Sequence, residues 1–181
     1  NANLNLSNID RSVESMIAGG ESNQVEFKPA IWYNKGRSDN DPNYVTNKNT
    51  STVKDNIIKT IAGFLNAEGG TLFIGVSDNA EEAYGIEVDI GLTSRGDIDG
   101  YELELNQLLM RNINKEVVAM KVRVTFPLFK NIKICRVDVK KSYEAVFADT
   151  TKKEEVFFVR IGNSTNPLSP SSMVTYVQNH E

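Results

Sequence analysis

The sequence predicts an α+β (mixed α/β) fold over a single domain, residues 1–181, with one mixed sheet and helices packed on it. Three observations carry that class. Val53, Ile57, Ile58, Ile61, Ala62 and Leu65 recur at three- and four-residue steps, which makes one apolar helical stripe. Directly beyond Gly69-Gly70, residues 71–76 are apolar on both faces, as a central strand is. Further Val- and Ile-rich runs follow without strict strand–helix alternation, so a purely parallel α/β sheet is not expected.

In chain order, a short helix is expected over Ile9 to Ile17, capped by Ser7 or Asn8 and stopped at Gly19-Gly20. Gln24 to Lys28 alternates as a strand: Val25 and Phe27 face one way, Gln24, Glu26 and Lys28 the other, and Pro29 ends it. Residues 34–51 are rich in Asn, Asp, Ser, Gly and Thr and read as a long loop. The helix over 53–65 carries Thr52 and Asp55 at capping-box spacing. Ser77-Asp78-Asn79 forms the turn after strand 71–76, and Tyr84 to Val88 reads as a second short strand. Tyr101 to Ile113 is an amphipathic helix with Tyr101, Leu105, Leu108, Leu109 and Ile113 facing inward. Residues 117–126 and 131–140 look like paired strands joined at Pro127-Leu128. Val156 to Ile161 is a further strand, and a last helix starts near Ser169 or Ser171.

Composition narrows the chemistry. The single cysteine, Cys135, excludes an intramolecular disulfide and a cysteine-based zinc site, and fits a reducing, cytoplasmic compartment. In its strand Cys135 reads as core filler rather than a nucleophile. The single histidine, His180, speaks against Ser-His-Asp and Cys-His catalysis and against a His-rich metal site. No P-loop and no G-x-G-x-x-G occur, so neither ATP nor NAD is expected. The apolar runs are too short to span a bilayer, and the polar start Asn1 to Asn8 does not read as a signal peptide, so no membrane association is expected. The missing starting Met points to trimming or to a piece of something longer.

The net charge of −4 argues against a protein that coats nucleic acid by bulk charge. That average hides a division. Residues 51–114 carry four basic and eleven acidic side chains, whereas residues 115–141 carry eight and two. The basic segment holds Lys121, Arg123 and Lys130, with Lys133, Arg136, Lys140 and Lys141. Lys121 and Arg123 share a strand face and Lys130 lies at a hairpin end, so the segment either tracks phosphates or forms a solvated sheet face. Trp32, Tyr33, Lys35, Arg37 and Tyr44 interleave aromatic and basic groups, which suits stacking on single-stranded nucleic acid or, alternatively, anchoring of the loop to the core.

Glu21 and Glu26 stand five residues apart across a turn and a strand start, beside Lys28. Gly19-Gly20 permits Glu21 to fold back towards Glu26 without demanding it. Asp78 follows the end of a strand, where ligands of open sheets collect. Three such carboxylates brought together suit Mg²⁺ or Mn²⁺, which prefer oxygen ligands. The same residues equally fit a solvated turn (Glu21), a local ion pair (Glu26) and a common turn former (Asp78).

Three stretches in order resemble the Schlafen-type AlbA-like domain, a family also described as divergent AAA and as DNA-binding. They are Glu21-Ser22 with Glu26-Phe27-Lys28, the run Ile61 to Asp78, and Phe158 to Thr165 followed by Pro167-Leu168-Ser169-Pro170. The resemblance covers Glu21 to His180, with residues 1–20 as an N-terminal helix. It implies binding of RNA or DNA. In nuclease members three acids form a metal-dependent endoribonuclease site acting on transfer and ribosomal RNA, and by motif these fall on Glu21, Glu26 and Asp78. Ser77 replaces the first Asp of the motif that Asp78 closes, and the loop after Lys28 is longer than in the animal proteins. Those enzymes use two copies of the fold to build a positive groove, so a homodimer or another chain is implied here. The expected function is therefore nucleic-acid binding, with Lys28, Lys35, Arg37, Lys121, Arg123 and Lys130 as contacts. The alternatives are a metal-dependent endoribonuclease, and a non-catalytic DNA-binding or protein-interaction module of a transcriptional regulator.

Overall fold

The computed structural model describes residues 12–180. Residues 12–18 form helix α1, and the expected start at Ile9 with its cap lies outside the described residues. Strand β1 (Val25–Lys28) runs parallel to β2 (Gly70–Ile74), with Val25 opposite Thr71 and Lys28 opposite Ile74. Helix α3 (Lys54–Asn66) makes the crossover between them, after a six-residue helix α2 (Lys35–Asn40). Then come α4 (Glu87–Leu92), α5 (Ile98–Asn112), α6 (Lys115–Lys121) and β3 (Val122–Thr125). A small hairpin, β4 (Leu128–Phe129) and β5 (Ile132–Lys133), leads into β6 (Cys135–Val139). Strands β7 (Phe147–Asp149), β8 (Glu155–Ile161) and β9 (Ser164–Pro167) precede α7 (Pro170–Gln178).

The α+β class holds, but the strands divide among three sheets: a four-stranded mixed sheet β1-β2-β6-β3, the β4-β5 hairpin, and an antiparallel β7-β8-β9 sheet. The division follows from α3. Its stripe predicted one buried face, yet ten of its thirteen residues are buried, so it needs a partner on more than one side. It lies between the mixed sheet and the β7-β8-β9 sheet. Gly63 makes the approach close: a Cβ there would meet the Thr165 side chain at 2.8 Å. The main core joins Ile57, Ile61, Phe64 and Leu65 of α3 to Leu72, Ile74, Cys135 and Val137 of the sheet and to Tyr101, Leu105 and Leu109 of α5. Cys135 is fully buried, as its alternation predicted.

Four local expectations are corrected. Residues 84–88 do not form a strand. Only an isolated bridge joins Val76 to Ala83, Gly85 turns at φ +75°, and α4 begins at Glu87. Residues 117–121 are helical, because the Asn114 side chain accepts the Val117 N–H at 3.0 Å and caps α6; the strand starts only at Val122. The capping box at Thr52 does not form, since Asp55 turns away to accept the Thr151 amide at 3.1 Å and its hydroxyl at 2.5 Å. The loop 34–51 contains α2, capped by Asn34 accepting from Arg37 N–H. The last helix starts behind Ser169, which caps it.

Asp89 fixes the chain as it leaves β1. Its carboxylate is 2 % exposed and accepts the N–H groups of Ile31 at 2.6 Å, Trp32 at 3.2 Å and Tyr33 at 3.0 Å. Three amides, two of them buried, lose their acceptor in Asp89→Ala, so that variant is expected to lose about 3 kcal/mol of stability, read as a lowered midpoint in urea unfolding. An unchanged midpoint would mean that the loop is held by Trp32 packing instead.

Candidate functional site

β1 is an edge strand, and an open edge exposes unpaired N–H and C=O groups. Gly20 turns at φ +75°, and the chain folds back so that Ser22 N–H donates to the Val25 carbonyl at 2.9 Å. This brings Glu21 to the edge, where its Oε1 accepts the outward Phe27 N–H at 3.1 Å. Arg160 of β8 closes the rest. Its Nη2 donates to the carbonyls of Ser22 at 2.6 Å and Val25 at 3.1 Å, and its Nη1 donates to Glu26 Oε2. The other oxygen of Glu26 accepts from Lys28 Nζ at 2.5 Å. The side chains of Arg160 and Glu26 are 1 % and 7 % exposed.

The two glutamates are thus brought together, and their acidities move apart. Burial pushes Glu26 up, but the hydrogen bonds and charges of Lys28 and Arg160 outweigh it and hold the carboxyl below its ordinary range. Burial pushes Glu21 up, opposed by the Phe27 amide and reinforced by the neighbouring Glu26 carboxyl, so it lies above its ordinary range. Asp78 is exposed in the turn after β2, where Ser77 Oγ bonds Asn79 and the Glu82 amide. Among the described residues no group of three or more acids, histidines or cysteines stands close enough to hold a metal ion. Glu26 opens onto a cleft of about 260 Å³ between β1, α3 and β9, with Lys28, Lys59, Ser164 and Thr165 around it.

A second, larger feature lies on the opposite face of the mixed sheet. In register, Val25, Thr71, Asp138 and Arg123 form one row across all four strands. α1 covers the β1–β2 half, with Val13 and Ile17 in a cluster with Phe27 and Phe73. The β6–β3 half stays open and floors a groove of about 1020 Å³. Lys121, Arg123, Lys140 and Lys141 line it, with Glu68 and Asp138 as the acids. Both acids are engaged: Asp138 accepts from Thr71 Oγ1 at 2.8 Å and Arg136 Nε at 2.9 Å, and Glu68 pairs with Lys141 at 3.2 Å. Lys121, Arg123 and Lys140 pair with no described carboxylate. The Lys140 amide donates to the Lys121 carbonyl at 2.9 Å, which sets these two lysines side by side on adjacent chain segments.

The remaining residues singled out in the sequence are scattered. Lys35 is tied to Asp39 at 2.9 Å and lies over the Tyr84 ring, while Arg37 lies over Tyr44. Trp32 is 3 % exposed and packs edge-on against Tyr101, so it anchors the loop to the core. Lys130 sits at the β4–β5 turn with φ +49° and donates to the Glu81 carbonyl. The sequence reading missed Arg160 as the partner of Glu26, although it stands in the stretch Phe158 to Thr165. It also missed Tyr143, whose one signal was an aromatic placed just after Lys140-Lys141.

The family profile described as Schlafen, AlbA_2 matches residues 21–169, and the chain belongs to that family. The family is associated with nucleic-acid binding. Among solved structures, the chain is similar to the DIP2311 protein from Corynebacterium diphtheriae, with a TM-score of 0.57 and 20% identity. The match covers 93% of this chain and 31% of that one, and at this identity it speaks for the fold alone. No curated protein matched. No described helix is long and apolar enough to cross a membrane.

The two glutamates are expected to respond oppositely to substitution. Glu26→Gln leaves a buried guanidinium without its counter-charge and should cost about 3 kcal/mol near neutral pH. Because the folded-state pKa of Glu26 lies below its ordinary value, its contribution is complete above the ordinary carboxylate range. It is lost as the pH falls through the folded value, so the difference from the parent protein closes in acid. Glu21 lies above its ordinary value and weighs against folding once ionised, so Glu21→Gln should not lose stability at neutral pH. Urea midpoints measured from neutral to acidic pH check both signs.

Proposed function

We propose that this chain binds nucleic acid through the groove on the open half of the mixed sheet. One observation carries the reading: Lys121, Arg123 and Lys140 line a concave surface whose acids, among the described residues, are already engaged. Uncompensated cations attract a polyanion, and they release its condensed counterions when they meet phosphates. Membership of a family associated with nucleic-acid binding supports the same reading. The groove is lined by described residues of one copy of the chain. Lys28, Lys35, Arg37 and Lys130 lie outside the groove lining and act, if they contact nucleic acid, on other surfaces.

Fluorescence anisotropy with short RNA and DNA at stepped salt tests this. Three to four neutralised phosphates predict a slope of about −3 in log affinity against log salt. Lys121→Ala and Arg123→Ala should each weaken binding across sequences and flatten the slope by about 1. Absence of binding at low salt, or binding indifferent to salt, removes the proposal.

A metal-dependent endoribonuclease is the second reading, favoured by one observation: Glu21 lies beside Glu26, which with Lys28 opens onto a cleft. The donors as they stand do not fit a divalent ion. Both oxygens of Glu26 already accept from cations, and Asp78 is not grouped with the two glutamates. RNA cleavage assayed with and without Mn²⁺, in the parent and in Asp78→Ala, decides it. Cleavage that depends on Mn²⁺ and falls by orders of magnitude in Asp78→Ala supports the enzyme. No cleavage, or equal cleavage, leaves the binding module.

A further inference from the structure

Just beyond the groove lies a second concavity of different chemistry. It measures about 320 Å³ and is lined by Tyr143, Phe157, Tyr176 and His180, with Lys141 at its edge. Lys141 also lines the groove, so the two spaces share a wall. Glu68 secures that wall, accepting from Lys141 at 3.2 Å and standing 3.2 Å from His180 Nε2. The aromatic lining is ordered by its own contacts. The Tyr176 ring stacks on His180 with centroids 4.4 Å apart and meets Phe157 edge-on at 6.1 Å. Its hydroxyl donates to the Asn66 carbonyl at 2.9 Å, which pins α7 to the end of α3.

Tyr143 is the exception. It is 90% exposed and pairs with no described aromatic ring. Its neighbour is Lys121, whose Nζ lies 5.4 Å from the ring centroid. A tyrosine held out in water gains nothing from burial, yet this one stands at the rim between the cationic groove and the aromatic pocket. Cations beside an exposed ring and an aromatic-lined recess are the two halves of a site for a phosphodiester carrying an unstacked base.

We propose that the groove and the aromatic pocket together form a site for single-stranded nucleic acid, with the backbone along Lys121, Arg123 and Lys140 and one base against Tyr143 in the pocket. The proposal rests on the groove reading above and adds the base to it. A duplex keeps its bases stacked on both sides and so offers none to the pocket, whereas a single strand presents each π-face at little cost. Lys141 spans the junction, close to where backbone and base part. The ring face reads no hydrogen-bond pattern, so Tyr143 supplies affinity for strandedness rather than for sequence.

The discriminating probe is a strand with phosphates and no bases. Anisotropy is measured with oligo-dT, oligo-U, an abasic strand of equal length and a duplex, at several salt concentrations. The normal strands should bind roughly tenfold or more tightly than the abasic strand and more tightly than the duplex. Tyr143→Ala should abolish that advantage while leaving the salt slope and the melting temperature unchanged, and Tyr143→Phe should keep it. Equal affinity for normal and abasic strands, or an advantage that survives Tyr143→Ala, overturns the base pocket while the groove reading stands. Failure of every strand to bind at low salt overturns both.

Discussion

The buried Arg160 guanidinium is the constraint on which the rest of the structure depends. It leaves β8 of one sheet, passes over the Phe64 ring of α3 and ends on the edge of β1 in another sheet. There it binds the Glu26 carboxylate and the carbonyls of Ser22 and Val25. A charge with 1 % side-chain exposure tolerates one arrangement of partners, since any slip of β8 against β1 strands it without a counter-charge. Such a pair adds little net stability over apolar residues of the same shape, but it penalises misdocking heavily. Three stretches far apart in sequence, Glu21 to Lys28, α3 with β2, and Phe158 to Thr165, therefore meet at one point.

This arrangement bears on what Glu26 can do. A carboxylate offers about four lone-pair sites, so one bond to each oxygen does not exhaust it, but two cations already beside it disfavour a third. Glu26 gives one oxygen to Arg160 and the other to Lys28, and its lowered pKa reflects that double commitment. Glu21 differs: it spends one oxygen on the Phe27 amide and keeps a raised pKa. The edge of β1 thus asks its two acids for different things. One compensates a buried cation and the other closes an exposed strand edge.

The sequence carried the parts of the fold that depend on local pattern. The periodicity of α3, the doubly apolar β2 and the alternation of β1 and β6 all read correctly, because burial of one or two faces dictates residue type at each step. What it did not carry depended on single side chains finding distant or competing partners. Asn114 converts a Val-rich run into a helix start, and Asp55 abandons a cap for Thr151. The short strands β7 and β9 form because α3 needs a second sheet, which no window of either strand announces. At the site, the glycines permitted Glu21 to meet Glu26, yet the partner that decides the chemistry, Arg160, is 134 residues away. Trp32 and Tyr143 show the same limit, as composition alone did not distinguish the buried ring from the exposed one.

The basic surface follows from how the mixed sheet is covered. One face is filled by α3 and α5, so its residues are apolar on β2, β6 and β3, while β1 presents Glu26 and Lys28 there to Arg160 and the cleft. The other is covered by α1 only over β1 and β2, which leaves the β6–β3 half to water. Those positions fall within residues 115–141, the segment whose eight basic side chains meet only two acids. Had the exposed positions served solubility alone, cations and anions would be interspersed across the rows, as on ordinary surfaces. Instead Asp138 is neutralised from within its own sheet by Arg136 and Thr71, and Arg123 opposite it is left without a partner among the described residues. The sheet thus keeps its positive charge facing outward on a concave floor, and the proposed binding of phosphates rests on that charge.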